Sequence, residues 1–164
     1  MSKVSITVVG GAYGEECSFP PRRIFRGSGG RASAILSNLG AKVTFTTLTG
    51  PQLSAEFERI AKNIGYHLDA SSRVEDIWFR YRHPLGHPTI YPPFVTPSDQ
   101  EQSVTSELAL VFGMIEGRPV VHARRAVYDP QDGRKSKPFA VNGSTAEELA
   151  MVVSYSEGLA LTGE

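Results

Sequence analysis

The residues best suited to chemistry cluster early in the chain. "FRGSGGRASAIL" places Gly27, Gly29 and Gly30 within four residues, with Arg31 directly after them. Arg22, Arg23 and Arg26 precede the glycines, and Glu15 lies further upstream. Three roles suit such a run. Bare backbone N–H groups can cradle a phosphate, close backbone can clamp a sugar, or glycine can simply make a tight entry into a helix. Arginine is a five-donor fork that prefers carboxylate or phosphate. Arg31 is therefore either a contact for an anionic ligand or a solvated loop residue, and Arg22 and Arg23 read as solvated.

Two familiar phosphate sites are excluded. A P-loop needs GxxxxGK[ST], but no lysine follows Gly30 and the spacing occurs nowhere. A dinucleotide fingerprint must run from a strand into a helix, whereas "GGAYGEECSFPP" enters proline-rich loop. His83 and His87 are four apart, but in a Pro/Gly turn rather than on a helix face, and no third metal ligand is evident. Trp78, Arg80 and Arg82 alternate with Phe79, Tyr81 and His83. That pattern reads as a stacking platform or, more simply, as a half-buried strand or dimer contact. His122, Arg124 and Arg125 read as the solvated face of a short helix.

Composition sets the frame. Seventeen basic residues balance seventeen acidic ones, which argues against a general nucleic-acid or acidic-membrane binder. Cys17 is the only cysteine, so no internal disulfide forms, and a reducing cytoplasmic setting fits. The apolar run in "MSKVSITVVGG" is too short to cross a membrane and reads as a buried strand.

The elements that must position these residues follow from period and punctuation. "VSITVV" is a strand ending at Gly10-Gly11. "EECSFPPRRIFRGSGG" reads as loop. Ala32, Ile35, Leu36 and Leu39 define one helix face, closed by Gly40. "KVTFTTL" is a strand. Pro51 opens a second helix striped by Leu53, Phe57, Ile60, Ala61 and Ile64. Residues 76–92 read as a strand, Pro/Gly turn and strand, and "TPSDQEQSVTS" as loop. "LALVFG" and "AVYDP" are strands. Ser144 and Glu147 suggest a capping box for a helix carrying Leu149, Val152 and Val153, and "LALTG" reads as a last strand. This alternation predicts an α/β fold with a largely parallel sheet, from which the hairpin at 76–92 stands apart. Ligands in such sheets sit beyond the strand carboxyl ends, here Gly10-Gly11, Thr49-Gly50, Gly113-Met114, Asp129-Pro130 and Thr162-Gly163.

Taken in order, "VVGGAYGE", "GSGGRASAILSNLGAKVTFTTLTG", "VYDPQ" and "SEGLALTG" resemble the ribokinase-like carbohydrate kinase family, of the phosphofructokinase-B type. The resemblance covers nearly all of this chain but only the N-terminal half to two-thirds of the family's length. It implies one incomplete ribokinase-like domain over 1–164, a largely parallel three-layer sheet with a small β-hairpin lid at about 76–92 and the C-terminal nucleotide-binding part absent. It also implies ATP and Mg2+ as cofactors, and a sugar, sugar phosphate or nucleoside as ligand. Gly29 and Gly30 become a substrate clamp, joined by Glu15, Arg31 and Asp129. Ser154 and Glu157 stand where the family's N-x-x-E motif organises magnesium and phosphate.

The sequence departs from that pattern at its site positions. Tyr13 and Glu15 replace an Asn and an Asp, Arg31 replaces an Asn, and Ser154 replaces another Asn. No Gly-Ala-Gly-Asp motif is present, and no aspartate follows Asp132. The expectation is a substrate-binding portion of a sugar or nucleoside kinase homologue, inactive in phosphotransfer as an isolated chain. The alternative is a non-catalytic module that recognises an anionic sugar or nucleotide. In either case a homo-oligomer or a completing partner chain is expected, because a truncated sheet exposes apolar surface.

Overall fold

The computed structural model describes residues 3–98 and 102–163. Residues 99–101 of the polar stretch that reads as loop lie outside them.

The chain forms a six-stranded sheet and a four-stranded sheet. In chain order the elements are β1 (Ser5–Val9), β2 (Gly14–Cys17), β3 (Arg22–Phe25), α1 (Gly27–Asn38), β4 (Lys42–Thr49), α2 (Pro51–Ile64) and β5 (His67–Ser72). They continue with β6 (Trp78–Tyr81), β7 (Thr89–Tyr91), β8 (Ser103–Phe112), β9 (Val120–Asp129), β10 (Thr145–Met151) and α3 (Tyr155–Thr162). The large sheet runs β10-β9-β8-β1-β4-β5 with every pairing parallel. The small sheet runs β3-β2-β6-β7 and is mixed.

The first half of the large sheet is built as its periodicity dictates. Val8, Val43 and Phe45 on β1 and β4 are buried with Leu53, Phe57 and Ala61 of α2. Phe45 packs edge-on against Phe57, with ring centroids 6.3 Å apart. Gly65 ends α2 in the left-handed conformation (φ 93°) that glycine adopts without strain.

The second half is covered differently. Only residues 113–119 join β8 to the parallel β9, whereas such crossovers usually take a dozen residues or more, commonly a helix. Eight Cα steps at about 3.8 Å each reach about 30 Å, enough to return along a ten-residue strand only if nearly extended. Residues 130–144 join β9 to β10 with no more than two 3₁₀ turns, one of which supplies Phe139. Phe139 packs on Tyr128, with centroids 5.4 Å apart, and joins Val9, Val111, Val121 and Ala126 in a second core.

Five expectations are corrected. The polar stretch that reads as loop ends in strand, because residues 103–106 open β8. "EECSFPPRRIF" is not loop but the β2–β3 hairpin, so the lid is a four-stranded sheet rather than a lone hairpin. His122, Arg124 and Arg125 lie on β9, not on a helix. Residues 145–151 form β10 rather than a helix, and the Ser144 hydroxyl instead accepts the Val121 N–H at 3.0 Å. "LALT" closes α3, not a strand, so Thr162-Gly163 is a helix end.

Candidate functional site

The site is built around the start of α1. Gly27 has φ 64°, and a side chain there would collide with the Gly11 carbonyl oxygen. A Cβ on Gly29 would run into the Phe45 ring, and one on Gly30 would lie 2.8 Å from Phe57 Cε1. The Gly29 N–H donates to the Gly11 carbonyl at 3.2 Å. These glycines let α1 settle against β4, α2 and the turn after β1. Gly29 and Gly30, expected as a substrate clamp, are buried, a Cβ on either would point at Phe45 or Phe57, and neither lines the cleft beside them.

That cleft lies between α1 and the lid and has a volume of about 450 Å3. Its wall includes Tyr13, Glu15, Ser28, Arg31, Phe79 and Tyr81. Strand alternation puts Glu15 and Phe79 opposite each other on one face of the small sheet. From α1, Arg31 Nη2 reaches Glu15 Oε1 at 3.2 Å. The structure thus joins two of the residues expected to bind substrate. It also changes their meaning, because the Arg31 charge is matched by a carboxylate. The pair offers guanidinium donors beside carboxylate acceptors in a charge-balanced wall, which suits vicinal hydroxyls. Burial raises the pKa of the Tyr81 phenol, and Glu15 raises it further while Arg31 opposes the rise, so it stays a neutral donor at physiological pH.

Tyr13 forms the inner wall. Its ring packs on Phe79, with centroids 5.0 Å apart, and its hydroxyl donates to Glu116 Oε2 at 2.5 Å. Glu116 is fully buried. Burial pushes its carboxyl up to about 7 despite opposing contributions from Tyr13 and Arg73, and burial together with Glu116 pushes the Tyr13 phenol well above its ordinary value. Sequence reading missed this pair, whose members are 103 positions apart. The one available signal was an acid within the apolar run "VFGMIEG".

The other predicted residues fall elsewhere. Asp129 ends β9 and accepts a hydrogen bond from Gln131 Nε2 at 3.2 Å. Gln131 itself, rather than Asp129, borders the cleft. Partial burial raises the Asp129 carboxyl pKa, with Glu157 adding to the rise. Ser154 and Glu157 form a capping box at the start of α3: Glu157 Oε2 accepts both the Ser154 N–H and the Ser154 hydroxyl at 2.7 Å. Those bonds hold the Glu157 carboxyl pKa below its usual value. This donor set does not fit magnesium, because the carboxylate is already engaged in capping a helix. Among the described residues no three His, Cys, Asp or Glu side chains converge on a metal position.

The outer face of the lid answers the stacking question. Arg23 lies over Trp78 at 4.2 Å from the ring centroid, and Arg80 over Tyr91 at 4.8 Å. Glu16 bridges both guanidiniums, at 3.5 and 3.2 Å. These aromatic faces carry the chain's own cations. A second cavity, about 370 Å3, runs along the irregular half between residues 113–119 and 130–144, and Arg118, Lys135 and Lys137 line it.

No family model matches the sequence, and no curated protein matches it. Solved structures do match its fold. A pyrophosphate-dependent kinase in the ribokinase family, complexed with a pyrophosphate analog and myo-inositol, aligns with TM-score 0.53 and 12% identity, over 97% of this chain and 64% of its own. A pyrophosphate-dependent myo-inositol-1 kinase converted into a myo-inositol-3 kinase gives TM-score 0.53 and 14% identity, over 97% of this chain and 63% of its own. A Staphylococcus aureus protein assigned as a phosphofructokinase gives TM-score 0.50 and 10% identity, over 91% of this chain and 71% of its own. The chain therefore has a ribokinase-like α/β fold and spans just under two-thirds of the length of the two pyrophosphate-dependent kinases. Among the described residues no helix is long and apolar enough to cross a membrane.

Proposed function

We propose that this chain is the acceptor-binding portion of a ribokinase-like sugar or polyol kinase homologue, inactive in phosphotransfer by itself. The carrying observation is the cleft between lid and α1, with the Glu15–Arg31 pair at 3.2 Å on its wall. Its balanced charge favours a neutral polyhydroxyl ligand over the anionic sugar that Arg31 alone suggests. The similar kinase with myo-inositol makes a cyclic polyol the natural probe. Glu15 would accept from hydroxyls, Arg31 and Tyr81 would donate, and Phe79 would cover an apolar ring face.

The donor side is not assembled from these residues. ATP with magnesium is the family's expected donor system, and the similar ribokinase-family enzyme is pyrophosphate-dependent. Glu157 caps α3, and this sequence lacks the Gly-Ala-Gly-Asp motif that supplies the base and anion hole for transfer in the family it resembles. The same observation favours a second reading, a ligand-binding or regulatory module that has lost transfer. We also propose a homo-oligomer or a completing partner chain. β10 is an edge strand, and Leu149, Met151, Val152 and Val153 on and after it are exposed.

Saturation-transfer NMR with myo-inositol and ribose, paired with 31P NMR in magnesium–ATP or pyrophosphate, tests the reading. Ligand contact without phosphorylated product is expected. Product formation would overturn the inactive assignment, and absence of contact with both probes would overturn the cleft assignment. Light scattering reports the mass: a dimer or larger species is expected, and a stable monomer contradicts the oligomer.

A further inference from the structure

The buried pair behind the cleft has more structure than a packing contact requires. Glu116 sits on the extended return between β8 and β9, which carries it across the sheet to the turn after β1. Its backbone carbonyl accepts the Ser98 N–H at 2.7 Å, which ties the return to the segment before β8. One carboxylate oxygen takes the Tyr13 hydroxyl, while Oε1 is buried without a hydrogen-bond partner. Arg73, just past β5, has a buried Nη1 that also lacks a partner, and its charge acts on both Glu116 and Tyr13. Those two groups, Tyr13 from the turn after β1 and Arg73 from the end of β5, are the titratable or charged side chains acting on Glu116 among the described residues.

The consequence lies on the other side of the tyrosine. Among the described residues, Tyr13 both bonds Glu116 and lines the cleft, where its ring meets Phe79. Space around that ring is already tight, since a side chain on Gly11 would collide with it. The hydroxyl's bond to Glu116 adds to that packing in fixing the ring's position. A carboxylate acceptor forms a charge-assisted bond, roughly twice as strong as a neutral one.

We propose that Glu116 is a positioning residue for the cleft: as a carboxylate it anchors the Tyr13 phenol and fixes the inner wall, and as a neutral acid it loosens that wall. Protonation places a hydrogen on Glu116, replaces the charge-assisted bond with a neutral one, and removes the negative charge on which Arg73 acts. The return between β8 and β9 thereby becomes a proton-sensitive prop for a cleft formed by other elements. The ligand part of this inference rests on the polyol reading of the cleft; the Glu116–Tyr13 linkage does not.

The test separates the two. The first readout is carbon-detected NMR of the Glu116 carboxyl and the Tyr13 ring from pH 5 to 9, without ligand. One midpoint near 7 shared by both signals is expected, because the buried carboxyl sits at about 7. Tyr13→Phe should raise the carboxyl midpoint, since the Tyr13 hydrogen bond lowers it. In Glu116→Gln, which keeps shape and an acceptor, the Tyr13 signals should no longer titrate. A carboxyl midpoint near the ordinary 4.5, or a Tyr13 ring indifferent to the carboxyl titration, would overturn the proposal. The second readout is myo-inositol affinity at pH 6 and pH 8. Roughly fivefold tighter binding at pH 8 is expected in the unaltered protein, the difference between a charge-assisted and a neutral bond. Less than about twofold change is expected in Glu116→Gln. If the NMR linkage holds while myo-inositol does not bind, the polyol reading fails and the prop stands. If binding occurs with equal pH dependence in both proteins, the prop does not govern the cleft.

Discussion

The two halves of the large sheet solve the same problem with different materials. β1 and β4 are covered by α1 and α2: the close-packed glycines of α1 and the apolar stripe of α2 leave Val8, Phe45, Leu53 and Phe57 almost completely buried. β8, β9 and β10 are covered by residues 113–119 and 130–144, which run over the sheet largely without regular structure. Val127, Leu149 and Met151 remain more than a third exposed there. Helices satisfy their own backbone and bring a continuous stripe of side chains. Extended connections bring few side chains and must find backbone partners one at a time, as Gly113 N–H does with the Asp129 carbonyl at 2.8 Å. The lesson is a division of labour. The helix-covered half gives the cleft a rigid floor under α1, and the sparsely covered half supplies an adjustable prop in Glu116.

The largest test of this contrast compares two aromatic truncations. Phe57→Ala should cost about 4 kcal/mol, because Phe57 is fully enclosed between helix and sheet. Phe139→Ala should cost about 2 kcal/mol, because the thinner cover can collapse onto the space. Urea unfolding of both variants measures the difference, and equal costs would erase the distinction.

Next in size is the pH dependence of stability. The Glu116 carboxyl is at about 7 in the folded chain against 4.5 as its ordinary value. Protons bind the folded state more tightly, so this stability contribution is fully present below pH 4.5 and is lost as pH rises through 7. The loss is on the order of 3 kcal/mol. Thermal melts from pH 5 to 8 should show this fall, and Glu116→Gln should flatten it. Stability that rises over the same range, with other groups held constant, would contradict the burial of an ionisable acid.

Gly29→Ala should cost about 2 kcal/mol by overpacking against Phe45, with little direct effect on cleft contacts. A large loss of ligand affinity with unchanged stability would restore the sugar-clamp role to this residue. The smallest effect is expected on the outer lid. Arg23→Ala removes a half-exposed ion pair and a stacked cation, and should change stability by no more than about 1 kcal/mol. A larger effect would mean that this face is covered by another chain.

Legibility in the sequence follows the same divide. β1, β4 and α2 were readable because their period, Pro51 and Gly65 agree with the packing, whereas α1 forms but leaves Ile35 and Leu39 of its expected inner face exposed, since its glycines and Ser33 make the close contact instead. β6 and β7 were readable from the Pro/Gly turn between them. The second half misled for physical reasons. Ser144, Glu147, Leu149 and Val152 mimic a capped helix, yet residues 145–151 pair with β9, because strand partners outside the window outweigh local pattern. "LALTG" is a short apolar run, which period alone cannot assign to strand or helix. Pro20 and Pro21 hid the β2–β3 hairpin by filling its turn. At the site, Glu15 and Arg31 were named as separate binders, but their mutual pairing depends on the lid's placement over α1. Gly29 and Gly30 gave a true signal of close approach, and what approaches them within this chain is the Phe45 and Phe57 rings.

The central claim is that the wall made by Glu15 and Arg31 binds a neutral polyol. Isothermal titration of myo-inositol into the unaltered protein and into Glu15→Gln, with circular dichroism confirming that both are folded, tests it most directly. Saturable binding, weakened by roughly tenfold in Glu15→Gln as a charge-assisted acceptor is lost, is the predicted result. No binding to the unaltered protein, or equal binding by the two, would contradict it.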